Sequence, residues 1–343
     1  MLGENGVPYS KSEIAKAKAE GRVINYVEPD TIIKKSGTEM FRLWVGSCEF
    51  RGDIPYSETI LYGEPNEKGE RKGGLAEWYR KLRTVARFLL GNLAGFDPDA
   101  ADVRDRSIVT LAVDRYMLAR LDDFVARARK AYEAYELHVV HRLLVDFITV
   151  DVSALYNDVT KDRLYSDPLD APTRRAAQLV MYECLRAIAT LAAPILCFTA
   201  EDIWHHMPRR KDDPDSVHLA LFPPAREADA ARSEIETELA QLLAWRERVT
   251  KALEPFRAQK NKSSDAKVTL QVAGDRATLE KYQGELADLF IVSAVELAAG
   301  ADTVVVEPHP GPRCERCWKH YDQLAADPPD VCERCAAALK ARS

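Results

Sequence analysis

Four cysteines near the C-terminal end stand in two tight pairs, Cys314 with Cys317 and Cys332 with Cys335, in the run CERCWKHYDQLAADPPDVCERC. A Cys-x-x-Cys turn presents two thiolates to one side of a small cation. A second pair, returning after the fourteen residues 318–331, supplies the other two. Four thiolates leave no open position, so the chemistry expected is a structural Zn2+ site. Two disulfides are the other reading of paired cysteines, but nothing else in the chain reads as secreted. Between and beside the pairs lie Arg313, Arg316, Trp318, Lys319, His320 and Tyr321. Cations and aromatics on one small loop suit unpaired nucleic-acid bases and their phosphates.

Two further segments carry the same mixture. Arg246, Arg248, Lys251, Arg257, Lys260 and Lys262 fall within seventeen residues, opposed by Glu247 and Glu254. Helical spacing places several of them on one face, as phosphate contacts require or as an ordinary solvated face would show. Arg80, Arg83 and Arg87 recur at i, i+3 and i+7 beside Trp78 and Tyr79, and pair either with phosphates or with acids of a neighbouring helix. His138 and His141 stand three apart with no third ligand in view, and His205 and His206 are adjacent, so both pairs read as packing residues rather than metal ligands. No Ser/His/Asp arrangement, glycine-rich phosphate loop or pair of acid/base carboxylates is discernible. The sequence holds no complete active site.

The elements that must position these residues are helical. Leu75, Trp78, Tyr79, Leu82, Val85, Ala86, Leu89 and Leu90 recur at steps of three and four, ending at Gly91-Asn92. Asp114–Tyr135, starting from an Asp in capping position, His138–Leu155 and Pro172–Ala193 repeat the pattern, and Thr199 is the expected cap of a helix through His206. Such helices joined by short connections make an antiparallel bundle. A linker at Pro208–Pro224 follows, then a helix from about Ala231 to Gln259. Strands are expected at Lys267–Val272, around Leu289, Ile291, Val292 and Val295, and at Val304–Val306. The fold class expected is mainly α: an antiparallel helix bundle, then a small α/β junction and a C-terminal zinc-ribbon-like knob. With 343 residues the chain has room for two or three domains, and its net charge of −6 excludes a generally basic coat but not local basic faces. Cys48, Cys184 and Cys197 read as small buried hydrophobes. No run of about 18 apolar residues could span a bilayer and no signal peptide opens the chain, so the cytoplasm is the expected compartment.

Ser10-Lys11-Ser12, FRLWVGSCEFRGDI at 41–54, EWYRKLRTVARFLLGNLAGFDP at 77–98, APILCFTAEDIWHHMP at 193–208, SVHLALFP at 216–223 and the terminal CERCW…CERC occur in the order found in bacterial isoleucyl-tRNA synthetases. The chain resembles the C-terminal part of that class I family. The resemblance implies residues 1–60 as the end of the catalytic domain, 75–225 as the anticodon-binding bundle, 231–308 as the junction and 309–343 as the zinc knob. It implies isoleucine tRNA as partner, ATP as substrate of the complete enzyme, one structural Zn2+, and a monomer. Pro8, Tyr9, Ser10, Lys11 and Ser12 match the family's Lys-Met-Ser-Lys-Ser signature. Ser10, Lys11 and Ser12 would then touch ATP, with the Lys11 ammonium bearing on its phosphates, although the first Lys and the Met are replaced and extra residues precede Pro29. The nucleotide-binding and editing halves implied by the family are not in this sequence. The chain is therefore expected to be a fragment, a truncated gene model or one subunit of a split enzyme, inactive alone. The tRNA-binding side chains proposed are Arg80, Arg83, Arg87, Arg248, Lys251, Lys260, Trp318 and Lys319. A stand-alone tRNA-binding module, or the same part of a valyl- or leucyl-type enzyme, is the alternative.

Overall fold

The computed structural model describes residues 10–22, 29–52, 54, 56–274 and 276–341. They divide into two compact units, and the division passes within single helices. The first unit takes residues up to 95, 121–150 and 183–226. Its helices are α1 (Lys11–Ala19), α2 (Pro29–Ser36), α3 (Thr38–Ser47), α4 (Glu58–Tyr62) and α5 (Gly74–Asn92), then most of α6 (Ala112–Glu133), α7 (Leu137–Asp146), the end of α9 (Pro172–Ala192) and α10 (Cys197–His206). The apolar stripe expected on α5 is buried at Trp78, Leu82, Val85, Ala86 and Leu89. Residues 63–73 form the glycine- and charge-rich loop before it. Gly63 sits at φ +80 there, where a Cβ would meet the Lys72 carbonyl oxygen at 2.0 Å, so only glycine closes the loop.

Helix α10 starts two residues before Thr199, which therefore does not cap it. The cap comes from another helix. The Glu39 carboxylate of α3 accepts the amides of Phe198 and Thr199, each at 3.2 Å. The Thr199 hydroxyl instead meets Tyr79 Oη at 2.8 Å.

The second unit takes residues 96–120, 151–182 and 227 onward. It holds the start of α6, α8 (Asn157–Ser166), most of α9, α11 (Ala230–Ala258), α12 (Ala277–Lys281), α13 (Gln283–Phe290) and α14 (Glu333–Lys340). Phe147–Tyr156, between α7 and α8, is wound as a π-helix. Asp114 is fully buried inside the first turn of α6 rather than capping it, and it holds Arg163 and Tyr156, whose Oη donates to it at 2.7 Å. The opening amide of α6, from Ala112, is again met from a distance, by Glu285 of α13 at 2.8 Å.

Three strands form one sheet: β1 (Ala266–Val272), β2 (Ala294–Ala299) and β3 (Thr303–Pro308), in the order β2-β1-β3. β1 runs parallel to β2, with Val268 opposite Val295, and antiparallel to β3, with Val268 opposite Val306. Its residues alternate buried and half-buried, which turns Val268, Leu270 and Val272 inward. The second strand differs from the expected place. Leu289 and Phe290 finish α13, Ile291 turns left-handed at φ 60, and pairing starts only at Ala294. The fold is mainly helical with a small three-stranded sheet and a terminal cysteine cluster, as the sequence leads one to expect.

Candidate metal centre and nucleic-acid interface

Cys314, Cys317, Cys332 and Cys335 converge, with all sulfurs within 4.8 Å of one another. Cys317 Sγ lies 3.9 Å from Cys332 Sγ. Sulfurs held at about 2.3 Å from one zinc ion in a tetrahedron stand about 3.8 Å apart, so the cluster has the dimensions of a four-thiolate site. A disulfide needs about 2.05 Å, and all seven cysteines are free. Among the described residues this is the His, Cys, Asp and Glu cluster that could hold a metal ion. The knob's core is little more than the site itself: Ala325, Val331 and Ala336 pack on the cysteines, with Tyr321 and Leu324 at the edge.

Donors surround the sulfurs. Cys332 N–H points to Cys314 Sγ at 3.3 Å, Tyr321 Oη lies 3.4 Å from Cys317 Sγ, and Arg316 Nη1 lies 3.3 Å from Cys335 Sγ. A hydrogen bond from the Cys335 thiol lowers the pKa of Cys317 and raises that of Cys335.

The two knuckles have one sequence, Cys-Glu-Arg-Cys, and each arginine reaches the end of α8. Arg316 donates to the carbonyl oxygens of Tyr165, at 3.1 Å, and Ser166. Arg334 forks onto Asp162 at 2.7 and 2.9 Å and reaches Asp167 at 3.3 Å. Burial pushes the Asp162 carboxyl up, but the Arg334 bonds and the Lys319 charge outweigh it and hold it below its usual range. Lys319, expected to face tRNA, is turned inward: it is 9% exposed and paired with Asp288 and, at 3.5 Å, with Asp162. Its charge is spent inside the protein, so it is not presented to a phosphate.

Trp318 is the exposed aromatic of the knob, 53% accessible and held at φ 63. Lys262 Nζ stands 4.9 Å above its ring, which joins the knob to the basic segment after α11. Along α11, Arg248 lies 4.7 Å over the Trp245 ring, and Lys251 follows exposed on the next turn. Trp245 was not among the expected residues, although its place three before Arg248 signals a shared face. Lys260 is exposed just past the end of α11, whereas Arg246 bonds Asp158 and the Leu289 carbonyl. The second unit thus carries Arg248, Lys251, Lys260, Lys262 and Trp318 as accessible side chains, with Lys262 and Trp318 in contact.

In the first unit Arg80, Arg83 and Arg87 are all exposed on α5. Arg80 pairs with Glu77 at 3.4 Å and Arg83 with Asp202 at 3.7 Å, contacts that cost little to exchange for a phosphate at such exposure. His138 faces Glu49 at 3.4 Å, while His141 packs edge-on against Trp78 with ring centres 5.0 Å apart. Ser10 caps α1 through a reciprocal bond with Glu13, and its Oγ lies 2.9 Å from Ser12 Oγ. Lys11 is the first residue of α1. Its side chain, with Pro8 and Tyr9, lies outside the described residues. No helix among the described residues is long and apolar enough to cross a membrane.

A helical body with exposed arginines and a cysteine knob on its last element defines a class. The family described as the anticodon-binding domain of tRNA ligase matches residues 114–273. Isoleucine–tRNA ligase of Syntrophotalea carbinolica is 41% identical over 344 residues, which covers 95% of this chain and 35% of the relative. That of Geobacter sulfurreducens is 40% identical, covering 94% and 35%, and that of Thermotoga petrophila 38%, covering 92% and 34%. The chain belongs to the isoleucine–tRNA ligase family and spans about a third of the length of these relatives.

Proposed function

We propose that this chain is the C-terminal, tRNA-gripping part of an isoleucine–tRNA ligase, the enzyme that joins isoleucine to its tRNA at the expense of ATP. The observation that carries the reading is the match of residues 114–273 to an anticodon-binding domain within a chain of which 95% aligns with an isoleucine–tRNA ligase. Residues 75–225 form the anticodon-binding bundle, 231–308 the junction and 309–343 the zinc knob, with 1–60 as the end of a catalytic domain. The four cysteines hold one Zn2+, which fixes the knuckles and takes no part in the chemistry. Arg80, Arg83 and Arg87 on one unit, and Arg248, Lys251, Lys260 and Lys262 on the other, meet phosphates, while Trp318 offers a face to an unpaired base. Lys11, with Ser10 and Ser12, contributes to ATP in the complete enzyme, which is cytoplasmic and works as a monomer.

The test is binding of the zinc-loaded chain to isoleucine tRNA and to the same tRNA with its anticodon exchanged, at several salt concentrations. The native anticodon is expected to bind more tightly. Each of Arg248→Ala and Lys251→Ala should lower the salt slope by roughly 0.7–0.9. Equal, salt-sensitive binding to both tRNAs would remove the anticodon reading. Isoleucine-dependent ATP–pyrophosphate exchange by these 343 residues alone would contradict the reading of 1–60 as only the end of a catalytic domain.

A further inference from the structure

Both knuckles read Cys-Glu-Arg-Cys, and both arginines reach the C-terminal end of one helix, Arg316 at Tyr165 and Ser166 and Arg334 at Asp162 and Asp167. A helix C-terminus carries carbonyls without intrahelical donors and the negative end of the helix dipole. Arg316 satisfies two of those carbonyls, and Arg334 neutralises Asp162 and Asp167 beside them. An arginine one residue before a metal ligand has its backbone fixed only when that ligand is fixed. Four thiolates around Zn2+ also leave a net charge of about −2, which Arg316 faces directly at Cys335 Sγ.

We propose that Arg316 and Arg334 couple metal binding at the four thiolates to docking of the knob on the end of α8, so that each strengthens the other. The proposal rests on the zinc reading above and adds a linkage that a structural metal site does not by itself require. Linkage is reciprocal: whatever factor docking contributes to zinc affinity, zinc contributes to docking. Arg316 touches a sulfur, so its loss alone would not separate docking from a direct effect on the ligand. Arg334 and Asp162 do separate them, because the hydrogen bonds of the Arg334 guanidinium run to Asp162 and Asp167, and Asp162 belongs to α8.

The experiment measures zinc affinity of the full chain by competition with a chromophoric chelator, for the wild type, Arg334→Gln, Asp162→Asn and Arg316→Gln. Arg313→Gln, whose side chain pairs with Glu315 on the exposed side of the knob, is the control. Hydrogen exchange at the amides of residues 163–170 is followed with and without zinc. Arg334→Gln and Asp162→Asn should each weaken zinc about tenfold and Arg316→Gln more, within the 10–100-fold span of lost outer-shell partners, with the control unchanged. Zinc removal should speed exchange at 163–170 in the wild type, and much less in Arg334→Gln, where the contact is already lost. A chain that binds zinc equally well in all variants, or whose exchange at 163–170 ignores zinc, overturns the coupling alone. A wild type that takes up no zinc overturns the metal reading and the coupling together.

Discussion

His141 shows how a single side chain can make stability depend on pH. Burial against Trp78 and the charge of Arg142 lower its pKa from 6.5 to about 4, so the folded chain keeps the ring neutral where the unfolded chain protonates it. A depressed histidine binds fewer protons folded than unfolded, and stability therefore falls as pH drops from about 6.5 towards 4. The full span corresponds to at most roughly 3 kcal/mol. Urea midpoints of wild type and His141→Leu between pH 4.5 and 7 check this: the variant should lose less stability than the wild type as pH falls, and parallel slopes would reject the assignment. At this scale the sequence was legible for the cysteines, whose spacing states their geometry. It was not legible for Lys319. A charge on a loop does not announce which way it turns, and its partners Asp288 and Asp162 lie on distant helices.

Helices carried their own signature, while their ends and the short strands did not. The buried faces of α5 and α7 follow the three-and-four spacing because each helix hides one stripe. Caps read as Thr199 and Asp114 failed for one reason: the carboxylates that meet the first amides, Glu39 and Glu285, come from helices far along the chain. Leu289 and Ile291 were misread as strand because a short apolar run fits both periods. Glu39→Ala should cost the start of α10 about 1–2 kcal/mol. The readout is hydrogen exchange at Phe198 and Thr199, expected to rise while exchange in mid-helix α5 stays put. Unchanged protection would mean that Glu39 is not the cap.

For the whole molecule, the net charge of −6 conceals where the cations stand. Basic side chains are gathered on α5, on the second half of α11 and at Lys260 and Lys262, so a repulsive average coexists with attractive faces. The helical body and the knob also have separate cores. The knob packs around its own cysteines, whereas α5 to α10 bury long aliphatic stripes. Cys317→Ser, which leaves three thiolates, should weaken zinc and release the terminal loop while the helical circular dichroism persists. Collapse of that signal on chelation would show one cooperative unit instead.

The contact from Arg316 to Ser166 joins residues 150 apart, whereas the knob's own closure spans fourteen, 318–331. Loop closure of the longer span costs about 2 kcal/mol more in chain entropy. On chain entropy alone, then, the knob closes more readily than it docks. Residues 314–335 can wrap an ion on their own and come to α8 already shaped, a finished part fitted to a helix that forms without it.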